Sequence, residues 1–172
     1  MSAKYTPEEI IAKLQAHPKF GSQIKPITKH QSAIISSGLE PAVVIAGAGS
    51  GKTETMSNRV LYLVANGFAT PDQILGLTFT RKAAGELSVR IRKRLRQLSQ
   101  LPEFKHITST STAVTTYHSY AGKLLSEHAI RYGIDADAEP LGEAAIWQIA
   151  SDVVRNWSDD SYRNDSGGNP LK

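Results

Sequence analysis

Lys52 and Thr53 close the stretch "AGAGSGKT", residues 46–53, in which Gly47, Gly49 and Gly51 alternate with Ala46, Ala48 and Ser50. Glycine reaches backbone angles closed to other residues, so this run can curl and turn successive N–H groups toward one point. Such a nest attracts anions. A helix expected over 52–65 adds its own unpaired N–H groups and a partial positive charge at the same place. Lys52 can then reach the β- and γ-phosphates of a nucleotide, and the Thr53 hydroxyl can bind the magnesium that bridges them. Glu54 falls in the first turn of that helix, where a carboxylate complements the dipole.

The strict pattern G-x-x-x-x-G-K-[ST] is missed at its first position, occupied by Ala46, and the relaxed pattern is met. A dinucleotide fingerprint begun at Gly47 would need glycine where Lys52 stands, and it fails. His17, His30, His106, His118 and His128 lack ligand spacing and the chain has no cysteine, so no zinc site is expected.

The elements that must position the loop follow from periodicity. Ala42–Ile45 is a continuous apolar run after Pro41, suited to a strand buried on both faces of a parallel sheet. Further strands are expected at 74–80, "ILGLTFT", and 113–117, "AVTTY". Thr6-Pro7-Glu8-Glu9 opens a helix with a capping box, and Thr28 opens a second with Gln31 at the reciprocal position. The helix after the loop ends at Asn66-Gly67. Others are expected from 81 to Pro102, from about His118 to Gly133, and from about Leu141 to Trp157. Alternating strands and helices predict a parallel α/β sheet with right-handed crossovers, whose ligands bind at the carboxyl ends of the strands. That rule puts the glycine loop, "TFTRKA" and "TTYHS" on one rim.

Charge is uneven. Residues 81–105 hold eight of the basic residues against two acidic ones, while the net charge of the whole chain is +4. The helix "RKAAGELSVRIRKRLRQL" should bury Ala84, Leu87, Ile91, Leu95 and Leu98 and expose Arg90, Arg92, Lys93, Arg94 and Arg96. A solvated helix face and a nucleic-acid surface are both consistent with that run. The last forty residues are acidic and helical, with Ile146, Trp147, Ile149, Val153 and Trp157 expected in a core, and the tail from about 158 expected to be loose. At 172 residues and 40% hydrophobic, with no targeting signal, no membrane-length apolar stretch and no cysteine, the chain reads as one domain or one and part of another, cytoplasmic and without membrane contact.

Four stretches together resemble the N-terminal part of UvrD/Rep-type superfamily 1 DNA helicases over about residues 27–130. "ITKHQSAI" is similar to the family's Q motif, "AGAGSGKT" to motif I, "LGLTFTRKAAGEL" to motif Ia and "TTYHSYAGKLL" to motif Ib. "GSGKTETM" and "FTRKAAGEL" look most like the helicase subunit of actinobacterial two-subunit helicase-nuclease machines. The resemblance implies a RecA-like P-loop NTPase fold: the first part of a motor domain over 1–120, and the start of an inserted helical subdomain over 121–172. It implies ATP and Mg2+ as cofactors, with Lys52 and Thr53 catalytic and residues 46–54 around the phosphates. Gln31 would read the adenine edge, with its capping-box position relative to Thr28 as the competing reading; a glutamine there can serve both. Phe79, Thr80, Arg81 and Lys82, with Thr116, Tyr117, His118 and Ser119, would line a track for single-stranded or partly duplex DNA, aromatic rings stacking on bases and hydroxyl or cationic groups holding phosphates. As bare residues, Phe79, Tyr117 and His118 are also ordinary strand-end core.

The family often places a basic residue where this chain has Glu54, so that residue's nucleotide contact is not carried over. Hydrolysis also needs an acidic pair at a strand end. Asp159-Asp160 follows a helix and Glu8-Glu9 caps one, so the pair is expected beyond residue 172, along with the remaining motor domains and, for the narrower resemblance, a nuclease subunit. A P-loop phosphotransferase acting on a small molecule and a non-catalytic nucleotide- or DNA-binding module remain as alternatives.

Overall fold

The computed structural model describes residues 3–133, 135 and 141–157. They fall into two compact units, 1–121 and 122–172.

In the first unit, helix α1 (Pro7–Gln15) starts where proline costs nothing, at the first turn, and its Thr6–Glu9 capping box is complete. Helix α2 (Lys29–Ile35) opens with a second box, Thr28 with Gln31. Helix α3 (Lys52–Ala65) follows the glycine loop. Its end is a Schellman turn: the Gly67 N–H donates to Val64 O at 3.1 Å and the Phe68 N–H to Leu63 O at 2.9 Å, with Gly67 at φ 69°. The Asn66 side chain accepts from the N–H groups of Lys4 and Tyr5 at 2.7 and 2.8 Å, tying the N-terminal segment to this end of α3.

Strands β1 (Leu75–Thr78) and β2 (Ala113–Thr116) form a two-stranded parallel sheet, Leu75 opposite Ala113 and Thr78 opposite Thr116. Between them runs helix α4 (Arg81–Ser99), which buries Ala84, Leu87, Ile91, Leu95 and Leu98, the expected stripe. Leu87 and Val114 crowd Gly76 of β1, where an added Cβ would meet Val114 at 3.3 Å. Ile10 and Leu14 of α1, Ile35 of α2, Leu61 and Val64 of α3, the α4 stripe and Phe104 make one core. This centre of mass of apolar packing lies among helices.

Three expectations need correction. Residues 42–45 belong to no sheet, and Val43 and Ile45 are 89% and 95% exposed. A strand takes its hydrogen bonds from a neighbour, and β1 and β2 pair with each other. Arg94, expected outside, is 8% exposed. Its helical position, three residues after Ile91 and seven after Leu87, places it on the buried stripe.

The third correction concerns the second unit. It continues helix α5 (Tyr117–His128), then a short 3-10 turn at Ala129–Tyr132, and holds helix α6 (Glu143–Asn156). The apolar stripe of α6 exists, but Ile146, Ile149, Val153, Trp147 and Trp157 are all exposed, Trp147 at 71%. No described residue covers them. Asp159-Asp160 and the tail from 158 lie outside the described residues.

Candidate functional site

The glycine loop is built by its own short-range bonds. Ser50 Oγ donates to Gly47 O at 2.8 Å, and Gly49 and Gly51 take φ of 76° and 84°, the left-handed region that a side chain strains. Nothing stands within 4 Å of a Cβ placed at Gly47 or Gly49, so the loop faces open space. At Gly51 a Cβ would meet Gln31 Nε2 at 2.9 Å. Gln31 explains that closeness. Its Oε1 accepts from the Thr28 N–H at 3.0 Å, completing the α2 cap, while Nε2 donates to Ser50 O at 3.2 Å. One amide thus ties the start of α2 to the loop.

Lys52 Nζ donates to Ala46 O and Gly47 O at 3.0 and 2.7 Å, so the ammonium lies across the loop it terminates. Among the described residues, the N–H groups of Gly49, Gly51, Lys52, Thr53 and Glu54 meet no acceptor. Five unpaired donors beside a helix N-terminus and a lysine form a preorganised anion cradle. Thr53 is exposed at its edge, its hydroxyl free to take a hard cation. Ala46, half-buried, and exposed Ala48 add backbone only.

The Glu54 carboxylate turns away from the loop. It accepts from Arg94 at 2.5 Å and Arg90 at 2.8 Å, and Arg94 also donates to Gln97 at 3.3 Å. Burial pushes this carboxyl upward, and the hydrogen bonds and charges of Arg94 and Arg90 outweigh it, holding it below its ordinary range. The first turn of α3 is therefore locked to the middle of α4. The start of α4 lies nine residues earlier, roughly 14 Å along the axis.

Strand register builds the other half of the site. Thr78 and Thr116 end their strands side by side, so the next residues, Phe79 and Tyr117, emerge together. Their rings are 5.3 Å apart at 38°, with Phe79 88% and Tyr117 50% exposed. Neither is core. β1 ends two residues short of the expectation and β2 one, because hydroxyls take over: Thr80 Oγ1 caps α4 by accepting from the Ala83 N–H at 3.1 Å, and Thr116 Oγ1 accepts from the Ser119 N–H at 3.1 Å. Thr116 itself is buried, while Thr80, Arg81, Lys82, His118 and Ser119 are exposed around the two rings. Two exposed aromatic rings, tilted against each other, with hydroxyl and cationic residues beside them in the chain, suit unpaired bases and their phosphates.

Two structural residues escaped sequence reading. Arg59 donates from one guanidinium to Ile34 O, Ile35 O, Ser37 O and Gly38 O at 2.7–3.2 Å, closing the C-terminus of α2 against α3. A lone arginine on a helix carries no signal for that. Arg94 did carry one, its place on the apolar stripe.

The class follows from comparison of the sequence with known families. The UvrD/REP helicase N-terminal domain matches residues 27–166, and the chain belongs to that family. The loop, β1, α4, β2 and Gln31 all lie inside the match. Among individual proteins, the ATP-dependent DNA helicase PcrA of Staphylococcus epidermidis strain ATCC 35984 is 29% identical over 140 residues, covering 81% of this chain and 18% of its own length. The ATP-dependent DNA helicase PcrA of Staphylococcus aureus strain Mu50 is 29% identical over 133 residues, 77% of this chain and 17% of its own. The chain spans under a fifth of the length of these curated relatives. Its fold content, helices around a parallel two-stranded sheet, agrees with an α/β helicase domain. No helix among the described residues is long and apolar enough to cross a membrane.

Proposed function

We propose that this chain is the ATP-binding first part of an ATP-dependent DNA helicase motor, working in the cytoplasm on single-stranded or partly duplex DNA. The observation that carries the reading is the open loop at 46–53 with its unpaired N–H groups and Lys52, joined through Glu54 to the helix that begins beside Phe79 and Tyr117. Residues 1–120 are the start of a RecA-like P-loop domain, and 121–172 the start of an inserted helical subdomain. Lys52 swings from Ala46 O and Gly47 O to the β- and γ-phosphates, and the loop N–H groups fix the tail. The residues fit magnesium: the exposed Thr53 hydroxyl beside the cradle is a hard oxygen donor, and the ion would neutralise phosphate charge there. Gln31 has one amide hydrogen left for the adenine edge. Phe79 and Tyr117 stack bases, while Thr80, Arg81, Lys82, His118 and Ser119 surround the strand and buried Thr116 holds Ser119 in place. The narrower likeness to the helicase subunit of a helicase-nuclease machine rests on "GSGKTETM" and "FTRKAAGEL", and it would bring a nuclease subunit and the remaining motor domains as partners.

Titration of the 172-residue chain with a fluorescent ATP analogue and Mg2+ tests this. Lys52→Ala should weaken binding at least tenfold without altering the melting temperature. Undiminished binding by that variant, or phosphoryl transfer to a small acceptor unaffected by DNA, would overturn the proposal.

A further inference from the structure

The basic helix has two ends, and only the first belongs to the site described above. Beyond its middle, α4 borders an open groove of about 500 Å³ whose far wall is the segment Lys19–Gln23. Val89, Arg92, Lys93, Arg96 and Gln100 line it. At 100° per residue these five fall within one stripe about 100° wide, and Arg92 and Arg96 stand about 6 Å apart along the axis. Lys19 faces them across the groove. Among the described residues no carboxylate lines it and none pairs with any of these four cations; Lys93 is held by Gln23 Oε1 at 3.0 Å. The one carboxylate of α4, Glu86, lies a turn before Val89 and outside the groove. Arg90 and Arg94, by contrast, are consumed by Glu54. The uncompensated charge is thus concentrated on one face, roughly 22 Å along α4 from Arg81 at its farthest.

We propose that this groove is a second DNA-binding surface, taking the sugar-phosphate backbone of duplex DNA. The inference rests on the DNA reading above for its ligand class, and on different residues. Duplex is favoured over single strand because, among the described residues, the groove offers no exposed ring for bases: Phe20, the one aromatic of those lining it, is buried and stacked on His17 at 4.0 Å. Cations and side-chain amides without stacking faces hold phosphates and leave base sequence unread. Such a contact keeps duplex near the track and makes affinity steeply dependent on salt.

Fluorescence anisotropy with two blunt duplexes of unrelated sequence and with oligo-dT, between 50 and 200 mM salt, tests it on the 172-residue chain. The double substitution Arg92→Glu with Arg96→Glu should weaken both duplexes at least tenfold and leave oligo-dT within about twofold. The milder pair Arg92→Gln with Arg96→Gln, which removes two phosphate contacts without reversing charge, should lower the salt slope of duplex binding by about 2. Phe79→Ala with Tyr117→Ala should do the reverse, so loss of oligo-dT binding alone speaks to the track and not to the groove. Duplex binding that survives both arginine pairs, an absence of duplex binding at 50 mM salt, or equal competition by poly-glutamate of matched charge would overturn the inference, the last in favour of an acidic protein partner.

Discussion

Glu54 shows how one unexpected residue type changes a local design. A free carboxylate beside the glycine loop would disfavour the anion proposed to bind there, but its charge is spent on Arg94, which is buried, and on Arg90. Replacing it with alanine leaves Arg94 desolvated and unpaired, and should cost about 2 kcal/mol, read as a fall in the urea midpoint. The pH dependence has a definite sign. Because the folded carboxyl titrates below its ordinary value of 4.5, its contribution is complete above that pH and is lost as pH falls through 4.5 toward the folded value. Melting temperatures from pH 3 to 7 should therefore drop less steeply on the acid side for Glu54→Gln than for the parent chain; parallel curves would show that the pair contributes nothing.

At the scale of elements, the helices are held at their ends more than by propensity. Thr6, Thr28 and Thr80 cap three N-termini, Gly67 turns the end of α3, and Arg59 gathers the last carbonyls of α2. At seven residues α2 is too short to persist alone, and it also carries Gln31, the tether to the glycine loop. Arg59→Ala removes the hydrogen bonds to four carbonyls and a positive charge from the C-terminal end of a helix dipole. It should lower stability by about 2 kcal/mol, a melting shift of about 4 to 8 °C, and raise hydrogen exchange in α2 before α3. An unchanged exchange pattern in α2 would mean that the apolar contact of Ile35 suffices.

Across the whole molecule, apolar burial is unequal. The core of the first unit lies among α1, α2, α3 and α4, whereas the 42–45 segment and the α6 stripe remain open to solvent. Ile45→Ser should therefore cost less than about 0.5 kcal/mol in this chain, while Leu95→Ala, fully buried, should cost about 3 kcal/mol. Denaturant unfolding of the two variants checks both figures; a large loss at Ile45 would mean that the segment is packed in solution.

The sequence by itself determined whatever depends on near neighbours. The caps at Thr6 and Thr28, the bounds of α3, the buried stripe of α4 apart from Arg94, and the tight turn of the glycine loop were legible because helix hydrogen bonds and glycine dihedrals are local quantities. Family membership was legible too, from motifs in order along the chain. Tertiary structure alone decided the rest. Whether 42–45 is a strand depends on a neighbour's edge, whether Arg94 is solvated depends on where Glu54 lies, and whether Phe79 and Tyr117 meet depends on the register of two strands separated by a nineteen-residue helix. Each is a contact between distant parts of the chain, and no local pattern encodes its partner.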